Sequence, residues 1–381
     1  MNGILISFGE LFIKSSSVRD LFIRKLSNNI ECALAREKIK YKLITTHDKL
    51  FLETKNVIDA TNIIQNIPGI SSLSPAYFLE TKSLEEIIKF VEKNYIDWIK
   101  ENETFAVRAR HDNTVKLSSQ EIAKDIGNVV DRKANLSHPD KEIFIEMREK
   151  GTYIYFEVIK GIDGLPVGCS GQLLSLMSAG IDSPVSSFLM LKRGCELNYI
   201  HYHSVPATND ASIIKSKDLC KLLLKYQPKS KLYIVPFYKI QMEIKMKTPP
   251  EERIVLYRRF MLRIAELLAK QEKIKALVTG EALAQVSSQT LDNMCTIQEA
   301  ITIPVLRPLV GYNKEEIIII AKQIGSYETS IIPQGDCCTL FTPKHPTTKA
   351  DLHKVKELEK ELDIDSLSKD AIDRMEIIEF K

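Results

Sequence analysis

The sequence predicts two parts of different fold class: an α+β N-terminal half and a doubly wound α/β C-terminal half built on a parallel sheet. The chain has 381 residues, which is long for a single hydrophobic core. The segment 160–171, KGIDGLPVGCSG, holds four Gly and one Pro, a composition typical of a linker. Before this segment, strands and helices follow one another irregularly, whereas after it apolar strands alternate with helices.

The N-terminal half contains short strands and amphipathic helices. In chain order we predict a strand ILIS, a helix over 18–34, strands over 41–45 and 50–53, a helix over 57–66, and strands TFAVRAR, EIFIEMR and TYIYFEVI. Two Ser-x-x-Glu sequences, beginning at Ser83 and Ser118, have the pattern of a capping box, in which both side chains bond backbone N–H groups at a helix start. We therefore expect a helix after each of these serines, the first running to about Lys100.

The C-terminal half is predicted to be a parallel sheet with crossover helices. Its strands are LLSLM, LNYIHY, KLYIVP and KALVT, and its helices cover about 184–193, 211–226, 251–270 and 313–324. Strands this apolar are typical of a sheet that helices cover on both faces.

Composition and charge exclude some classes of protein. Hydrophobic residues make up 44% of the chain and charged residues 27%, as in globular proteins. There is no apolar run of membrane-spanning length and no signal-peptide pattern, so we expect a cytoplasmic protein without a membrane partner. The seven Cys are scattered, which favours reduced thiols. Net charge is +3, and residues 171–350 hold 23 basic and 16 acidic side chains, which suits a polyanionic partner or ordinary surface variation equally.

The loop SAGIDS, residues 178–183, lies between the first C-terminal strand and its helix. Ligands of doubly wound sheets bind beyond the carboxyl ends of strands, and a helix start offers free N–H groups to a phosphate. We expect Ser183 to cap the helix, with Pro184 in its first turn. A phosphate repels a carboxylate, so Asp182 is expected to work with Mg²⁺ or to orient the loop. On this motif alone, a capped turn without a ligand stays an alternative.

Polar residues at other strand ends support a ligand site. His201 and Tyr202 end one strand, Gly280 and Glu281 follow another, and Arg258 lies in an otherwise apolar helix. Each of them alone is more often a structural residue. Their convergence on one edge of the sheet favours a nucleotide.

Several strings resemble known sequences. SAGIDSPVS resembles the SGGxDS pyrophosphate loop of the adenine-nucleotide α-hydrolase-like enzymes, which split ATP into AMP and pyrophosphate. GELFIKSSSVRDLFIRKLSNNI, VTGEALAQVSSQTLDN, RPLVGYNKEEIIIIAKQIGSYETSIIPQGDCC and FTPKHPTTK resemble the ThiI family of tRNA 4-thiouridine synthetases, over nearly the whole chain. The resemblance implies a ferredoxin-like domain over 1–59, a THUMP RNA-binding domain over 60–165 and a pyrophosphatase-loop (PP-loop) domain over 172–381.

The resemblance also implies an activity: adenylation of O4 of the uridine at position 8 of tRNA, then replacement of that oxygen by sulfur from a persulfide. Asp182 and Cys337 are the implied catalytic residues, and Cys338 is the expected resolving thiol. ATP contacts are expected at Leu176, Met177, Ser178, Ser183, His201, Tyr202, Arg258, Gly280 and Gln289. Sulfur transfer needs a soft nucleophile such as a thiolate, which the neighbouring Asp336 disfavours unless a cation such as Lys344 compensates. In some bacteria the family also serves sulfur transfer in thiamine thiazole synthesis.

One strand of the N-terminal half carries a basic face. In TFAVRAR, Arg108 and Arg110 lie on the face opposite the apolar residues, and Lys116 follows nearby. These side chains are candidates for contacts with RNA phosphates. The spacing of these basic residues fits a solvent-exposed face without a ligand equally well. The resemblance to the family favours contacts with RNA.

The sequence departs from the family pattern at several points. Ala179 stands where the loop usually has Gly. No rhodanese domain follows, so we expect an external sulfur donor: a cysteine desulfurase, a rhodanese-like protein or sulfide. There is no C-x-x-C, so no iron–sulfur cluster is predicted and the expected cofactors are ATP and its Mg²⁺. Another tRNA-thiolating PP-loop enzyme and a non-catalytic RNA-binding protein stay open as alternatives, and so does a homodimer.

Overall fold

The structure is a computed structural model that describes residues 1–9, 15–46, 49–113, 115–333, 340–341, 343 and 345–381. The chain divides into two units, Met1–Pro166 and Val167–Lys381. The division falls within the predicted linker. This segment is held by hydrogen bonds on both sides of the division: Gly161 N–H donates to the Ser71 carbonyl, and Gly168 N–H donates to the Gly194 carbonyl.

Within the described residues, the strands of the N-terminal unit are β1 (Gly3–Phe8), β2 (Lys42–Thr45), β3 (Leu50–Glu53), β4 (Ile70–Leu79), β5 (Phe105–His111), β6 (Lys141–Arg148), β7 (Gly151–Tyr155) and β8 (Ile159–Lys160). Its helices are α1 (Ser16–Arg36), α2 (Val57–Ile64), α3 (Leu84–Trp98) and α4 (Ser119–Gly127). The predicted elements agree with these bounds to within two residues, except that the predicted strand TYIYFEVI breaks after Tyr155.

These strands form one sheet in the order β2-β3-β1-β4-β7-β6-β5, and β8 pairs with β4. The central strand β1 is antiparallel to both β3 and β4, with Ile4 opposite Leu52 on one side and Pro75 on the other. Strands from 1–59 and from 60–165 therefore share a single sheet. The division of this unit into two domains after residue 59 stays a prediction.

The two predicted capping boxes differ in the structure. At the start of α4, Ser118 Oγ accepts from the Glu121 N–H and the Glu121 carboxylate accepts from the Ser118 N–H, so this box is confirmed. At the start of α3, the Ser83 side chain makes no capping bond. The Ser83 N–H donates instead to Thr81 Oγ1 at 3.0 Å. The box is wrong there because another side chain already satisfies the donor that Glu86 would have bonded.

Within the described residues, the strands of the C-terminal unit are β9 (Gln172–Leu176), β10 (Glu196–His203), β11 (Ser230–Pro236), β12 (Leu277–Val278), β13 (Val305–Leu306) and β14 (Glu376–Phe380). Its helices are α5 (Asp182–Lys192), α6 (Ala211–Leu223), α7 (Tyr238–Lys247), α8 (Arg253–Gln271), α9 (Leu291–Gln298), α10 (Lys314–Ile324), α11 (Tyr327–Ile331), α12 (Leu352–Glu359) and α13 (Ile364–Asp373). Short 3₁₀ helices occur at Leu224–Tyr226, Pro250–Glu252 and Ser287–Gln289.

The second sheet has the order β13-β12-β9-β10-β11-β14. From β9 the chain builds outward in one direction to β10 and β11, and in the other to β12 and β13. These five strands are parallel, which confirms the predicted doubly wound α/β fold. The strand order reverses between β9 and β12, and such a switch point opens a crevice beyond the carboxyl ends of the strands.

The end of the chain differs from the prediction. β14 pairs antiparallel with β11 at the edge of the sheet, and α7, α9 and α11 to α13 were not predicted. The sequence of β14, EIIEF, is partly polar, as suits an edge strand, so an apolar run does not mark it as a strand. None of the described helices combines the length and hydropathy that a bilayer crossing requires. The cytoplasmic location stays a prediction.

A buried ion-pair cluster joins α12 to α8. Arg259, whose side chain is 1% exposed, binds the Glu359 carboxylate through both Nε (2.8 Å) and Nη2 (2.9 Å). Arg263 binds the same carboxylate at 2.5 and 2.8 Å, and Glu299 lies 3.1 Å from Arg259. Burial raises the pKa of Glu359, but hydrogen bonds and charge from Arg263 and Arg259 outweigh it, and the pKa lies below its usual value.

We expect Glu359→Gln to destabilise the protein by about 3 kcal/mol, because it leaves the buried Arg259 guanidinium short of a compensating charge. Since the folded-state pKa of Glu359 is lowered, its contribution is present at neutral pH and is lost as pH falls through that pKa. The Glu359→Gln effect on the urea midpoint should therefore shrink in acid. Glu357→Gln is the matched control, because Glu357 lies on the same helix and pairs with the exposed Lys360. Equal midpoints for the two variants at neutral pH would contradict the prediction.

Candidate active site

A pocket lies at the switch point, beyond the carboxyl ends of β9, β10 and β12. Its lining consists of Leu176, Met177, Ser178, Asp182, Ser183, Ile200, His201, Tyr202, Arg258, Met261, Thr279, Gly280 and Gln289. Each residue at which an ATP contact was expected is in this lining, and so is Asp182. The structure therefore brings these residues together. Their individual roles stay predictions.

The loop 178–183 is folded tightly onto itself. Ser178 Oγ accepts from the Gly180 N–H at 3.4 Å and donates to Ser183 Oγ at 3.4 Å. Ala179 is fully buried and has a φ of 63°, the left-handed region that costs an L-residue about 1–2 kcal/mol. This backbone conformation explains why Gly is the usual residue here.

The prediction that Ser183 caps the helix is wrong. Helix α5 begins at Asp182, and Ile181 stands at the cap position, where it makes no side-chain capping bond. Ser183 lies in the first turn, and its hydroxyl donates to Met177 Sδ at 3.3 Å, so it ties the helix to the end of β9. Pro184 is in the first turn, as predicted. A helix start without a side-chain cap leaves its N–H groups available to an anion.

Asp182 is held by two residues that the sequence did not bring forward. Its Oδ1 accepts from Lys314 Nζ at 2.6 Å, and its Oδ2 accepts from Gln285 Nε2 at 3.0 Å. The Lys314 ammonium compensates the carboxylate, so the pocket carries no isolated negative charge beside a bound phosphate. Of the two expected roles for Asp182, these contacts support orientation of the loop. The role with Mg²⁺ stays a prediction.

A second ion-pair group lies on the β12 side of the pocket. Arg258 Nη2 binds Glu281 Oε1 at 3.1 Å, and Arg307 Nε binds Glu281 Oε2 at 2.8 Å. Thr279 Oγ1 donates to the same carboxylate at 2.8 Å. Burial raises the pKa of Glu281, but the charges of Arg258 and Arg307 outweigh it and hold the pKa below its usual value. Glu281 is therefore ionised and fixes the direction of the Arg258 guanidinium.

His201 and Tyr202 build the walls of the pocket. His201 Nδ1 lies 2.7 Å from the Met177 carbonyl, which can only accept, so this nitrogen carries the proton. Its Nε2 lies 3.2 Å from Ser212 Oγ on α6. The Tyr202 hydroxyl donates to the Met261 carbonyl on α8 at 2.5 Å. These bonds fix the end of β10 against the neighbouring elements.

Two features of the pocket fit an adenine nucleotide. Gln289 Oε1 is buried without a hydrogen-bond partner among the described residues. Gln289 also lines the pocket, so its side-chain acceptor is a candidate partner for the exocyclic amine of adenine. At Gly280, a Cβ atom would lie 2.9 Å from backbone atoms of both Asp182 and Ser183. A side chain at Gly280 would therefore displace loop 178–183.

Gly280→Ala is expected to raise the dissociation constant for ATP about tenfold or more, which corresponds to about 1.4 kcal/mol. The added methyl meets backbone, which cannot rotate away, so the loop must shift. Isothermal titration calorimetry with ATP measures the effect. Gly311→Ala is the matched control, since its Cβ would meet no atom within 4 Å. Unchanged ATP affinity in Gly280→Ala would show that the loop tolerates the displacement.

The predicted catalytic cysteines, Cys337 and Cys338, lie outside the described residues, and so do Asp336 and Lys344. The described cysteines are Cys32, Cys169, Cys195, Cys220 and Cys295, and none of these lines the pocket. Burial raises the pKa of the Cys195 and Cys220 thiols, which opposes reactivity. The described residues contain no group of three or more His, Cys, Asp or Glu that could hold a metal ion.

The candidate RNA-binding residues lie on and near β5, at the edge of the first sheet. Arg108 is engaged inside its own unit, where Nε binds Glu142 Oε1 at 2.8 Å and Nη2 donates to the Leu136 carbonyl. Arg110 and Lys116 are both exposed. Of the three, Arg110 and Lys116 therefore have the more accessible side chains.

Three residues that were not among the predicted site residues also shape the site: Lys314, Gln285 and Arg307. Lys314 opens α10, and a capping box between Asn313 and Glu316 fixes that helix start. The string NKEE carries the sequence signal of such a box and could have located the helix start. Nothing in the local pattern indicates that Lys314 reaches a loop 132 positions earlier, because that contact depends on the strand order.

Family comparisons cover most of the chain. A family described as "Thiamine biosynthesis protein (ThiI)" matches residues 168–364. A ThiI ferredoxin-like domain matches residues 3–74, and a THUMP domain matches residues 81–157.

Individual relatives extend over the full length. A probable tRNA sulfurtransferase of Brevibacillus brevis is 39% identical over 389 residues, covering 99% of this chain and 96% of that protein. One from Moorella thermoacetica is 38% identical over 384 residues, covering 98% of this chain and 97% of that protein. A solved 4-thiouridine synthetase–RNA complex with bound ATP matches with a TM-score of 0.89 and 29% identity, and the match covers 100% of both chains.

Proposed function

The chain belongs to the ThiI family and is a tRNA sulfurtransferase, and we propose that it converts the uridine at position 8 of tRNA to 4-thiouridine through an adenylated intermediate. The observation that carries the proposal is the convergence of loop 178–183 with His201, Arg258 and Gln289 on one pocket at the switch point. The related synthetase was solved with ATP and RNA bound, which supports ATP and tRNA as the substrates of this chain.

In the proposed first step, O4 of the uridine attacks the α-phosphorus of ATP. A bond forms between O4 and phosphorus, the bond between the α-phosphorus and the bridging oxygen breaks, pyrophosphate leaves, and the N3 proton of the uracil is released to solvent. The exocyclic O4, a poor leaving group, becomes part of AMP, a good one. The N–H groups at the start of α5 and the Arg258 guanidinium are placed to bind the departing phosphates. Mg²⁺ accompanying ATP would supply further charge neutralisation when bound, and Asp182 would hold it by exchanging its contacts with Lys314 and Gln285.

In the proposed second step, a terminal persulfide sulfur on Cys337 attacks C4 of the activated ring. A C4–S bond forms and AMP leaves, which joins the base to Cys337 through a disulfide. The Cys338 thiolate then attacks the Cys337 sulfur, which releases 4-thiouridine and leaves a Cys337–Cys338 disulfide. An external dithiol reductant returns the two electrons that restore both thiols. A cysteine desulfurase or a rhodanese-like protein recharges the Cys337 thiolate by transferring the terminal sulfur of its own persulfide. Sulfide, the third candidate donor, would instead open the Cys337–Cys338 disulfide, which leaves a persulfide on Cys337 and a thiolate on Cys338.

The N-terminal unit is proposed to deliver the tRNA, because its residues 81–157 match a THUMP domain. Arg110 and Lys116, which are both exposed, are the best candidates for phosphate contacts. For Arg108 the proposal is weaker, because Glu142 already holds its guanidinium.

The test is direct. The gene is deleted in its host, tRNA is isolated and digested, and nucleosides are measured by mass spectrometry. Loss of 4-thiouridine that is restored by a plasmid copy of the gene supports the proposal. Unchanged 4-thiouridine in the deletion strain would overturn it, and loss of a 2-thiolated uridine instead would favour another tRNA-thiolating activity.

A second role in sulfur transfer for thiamine thiazole synthesis rests on the description of the family that matches residues 168–364. The same deletion strain tests it, through growth in medium without thiamine. Normal growth there would remove this second role without affecting the first.

A further inference from the structure

Two segments whose neighbouring residues Gln285 and Lys314 bind Asp182 carry exposed apolar side chains that no step above uses. We call this set the rim, and it comprises Leu283 and Val286 after β12 and Val310 and Tyr312 before α10. Their exposed fractions are 49%, 52%, 44% and 38% respectively. Such residues beside an active site are a candidate binding surface.

The rim is built by backbone that is fixed by hydrogen bonds. The Leu283 N–H donates to the Val310 carbonyl at 3.2 Å, which joins the two segments. The Ala284 N–H donates to the Gln289 carbonyl at 2.9 Å, and Ala284 takes a left-handed φ of 61°. The Tyr312 N–H donates to the Leu309 carbonyl. The apolar side chains are therefore displayed by tight turns and not by a loose loop.

The rim borders the reacting end of the pocket. Gln285 lies between the two rim residues of the first segment, and Lys314 lies two positions after Tyr312. Both side chains bind the Asp182 carboxylate, at 3.0 and 2.6 Å. The rim therefore adjoins the edge of the pocket that loop 178–183 forms, where the phosphates of ATP are proposed to lie.

We propose that the rim receives the target base of the RNA, turned out of its stack, with the Tyr312 ring against one face of the base. The inference rests on the proposed function, which needs O4 of a uracil ring at the α-phosphorus of ATP. A base inside a helical stack cannot reach that atom, so it must be extruded. An extruded base loses its stacking neighbours, and exposed aromatic and aliphatic side chains replace them.

A protein partner such as the sulfur donor is the competing occupant, and the geometry favours the base. The rim residues flank Gln285 and precede Lys314, whose side chains bind Asp182, so a folded protein seated on the rim would compete with the base for access to this edge of the pocket. Under the proposed function, the base must reach this edge in every turnover.

The experiment uses the full-length enzyme with transcribed tRNA and follows pyrophosphate release and 4-thiouridine formation. Tyr312→Ala is expected to lower kcat/KM for tRNA about 5- to 100-fold, the range for losing one base–aromatic stack. ATP affinity by calorimetry should not change. Tyr312→Phe should retain activity, because the ring remains. Ile319→Ala is the matched control, since Ile319 is 64% exposed on α10 outside the rim.

A second readout does not depend on turnover. A tRNA carrying 5-iodouridine at the target position is irradiated in complex with the enzyme, and the cross-linked peptide is identified by mass spectrometry. A cross-link to the peptide containing Tyr312 supports the inference. A cross-link confined to other segments, or equal kcat/KM for Tyr312→Ala and wild type, overturns it. A loss of activity in Tyr312→Ala that appears only with a protein sulfur donor assigns the rim to that donor and also overturns it. If the wild type itself neither releases pyrophosphate nor thiolates tRNA, the proposed function has failed instead.

Discussion

Cys337→Ser is expected to abolish 4-thiouridine formation while tRNA-dependent pyrophosphate release continues. The two proposed steps use different residues. Adenylation takes place in a pocket whose lining contains no cysteine among the described residues. Sulfur transfer needs a thiol that carries a terminal sulfur, and a serine hydroxyl cannot hold one. The assay measures both products from the same reaction, pyrophosphate by coupled enzymes and the nucleoside by mass spectrometry.

Replacing Cys338, the residue after Cys337, is expected to give a different result. Cys338→Ser should allow about one turnover and then stall, because the base stays bound to Cys337 until a strong reductant cleaves that disulfide. Cys295→Ser is the matched control, since Cys295 is an exposed free thiol on α9. If Cys337→Ser thiolates tRNA at the normal rate with sulfide as donor, sulfide attacks the adenylate directly and the covalent route is wrong.

The helices, strands and site residues that could be predicted from sequence are those determined by residues close to one another in the chain. The helices after Ser83 and Ser118 and the apolar strands β9 to β11 follow from spacing and capping patterns within about 15 residues. The strand ends at Met177, His201 and Gly280 followed from the same patterns. The single edge of the parallel sheet then brought them together.

The parts that could not be predicted depend on distant packing. The partner of Asp182 is 132 positions away at Lys314, and the partner of Arg259 is 100 positions away at Glu359. No local pattern contains such a distance. The failed cap at Ser183 has a similar cause, because the hydroxyl prefers Met177 Sδ at the end of the adjacent strand. The residue type and position of Ser183 predict a helix cap, but its hydroxyl bonds to Met177 instead.

Asp182→Asn is expected to lower tRNA-dependent pyrophosphate release about 100-fold or more, the usual loss on removing one group that stabilises charge in an active site. The substitution preserves the shape of the side chain, so the fold should survive. It removes the charge that fixes the Lys314 ammonium, and it offers an amide where Gln285 now finds an acceptor. Asp292→Asn is the matched control, because Asp292 is also an acidic residue in the first turn of a helix and is exposed.

The pair of Asp182 and Lys314 also separates the two roles considered for the aspartate. If Asp182 orients the loop through its ion pair with Lys314, then Lys314→Met alone should cost as much as Asp182→Asn. The double variant should then be no worse than either single one, because both remove the same interaction. If Asp182 holds Mg²⁺ with the nucleotide, the two losses should multiply, and Asp182→Asn should need more Mg²⁺ for half-maximal pyrophosphate release. The 2.6 Å contact between Lys314 Nζ and Asp182 Oδ1 favours equal losses in the two single variants. The reason is that the Lys314 ammonium competes with Mg²⁺ for the same carboxylate. Pyrophosphate release by Asp182→Asn at the wild-type rate would remove Asp182 from the adenylation step under either role.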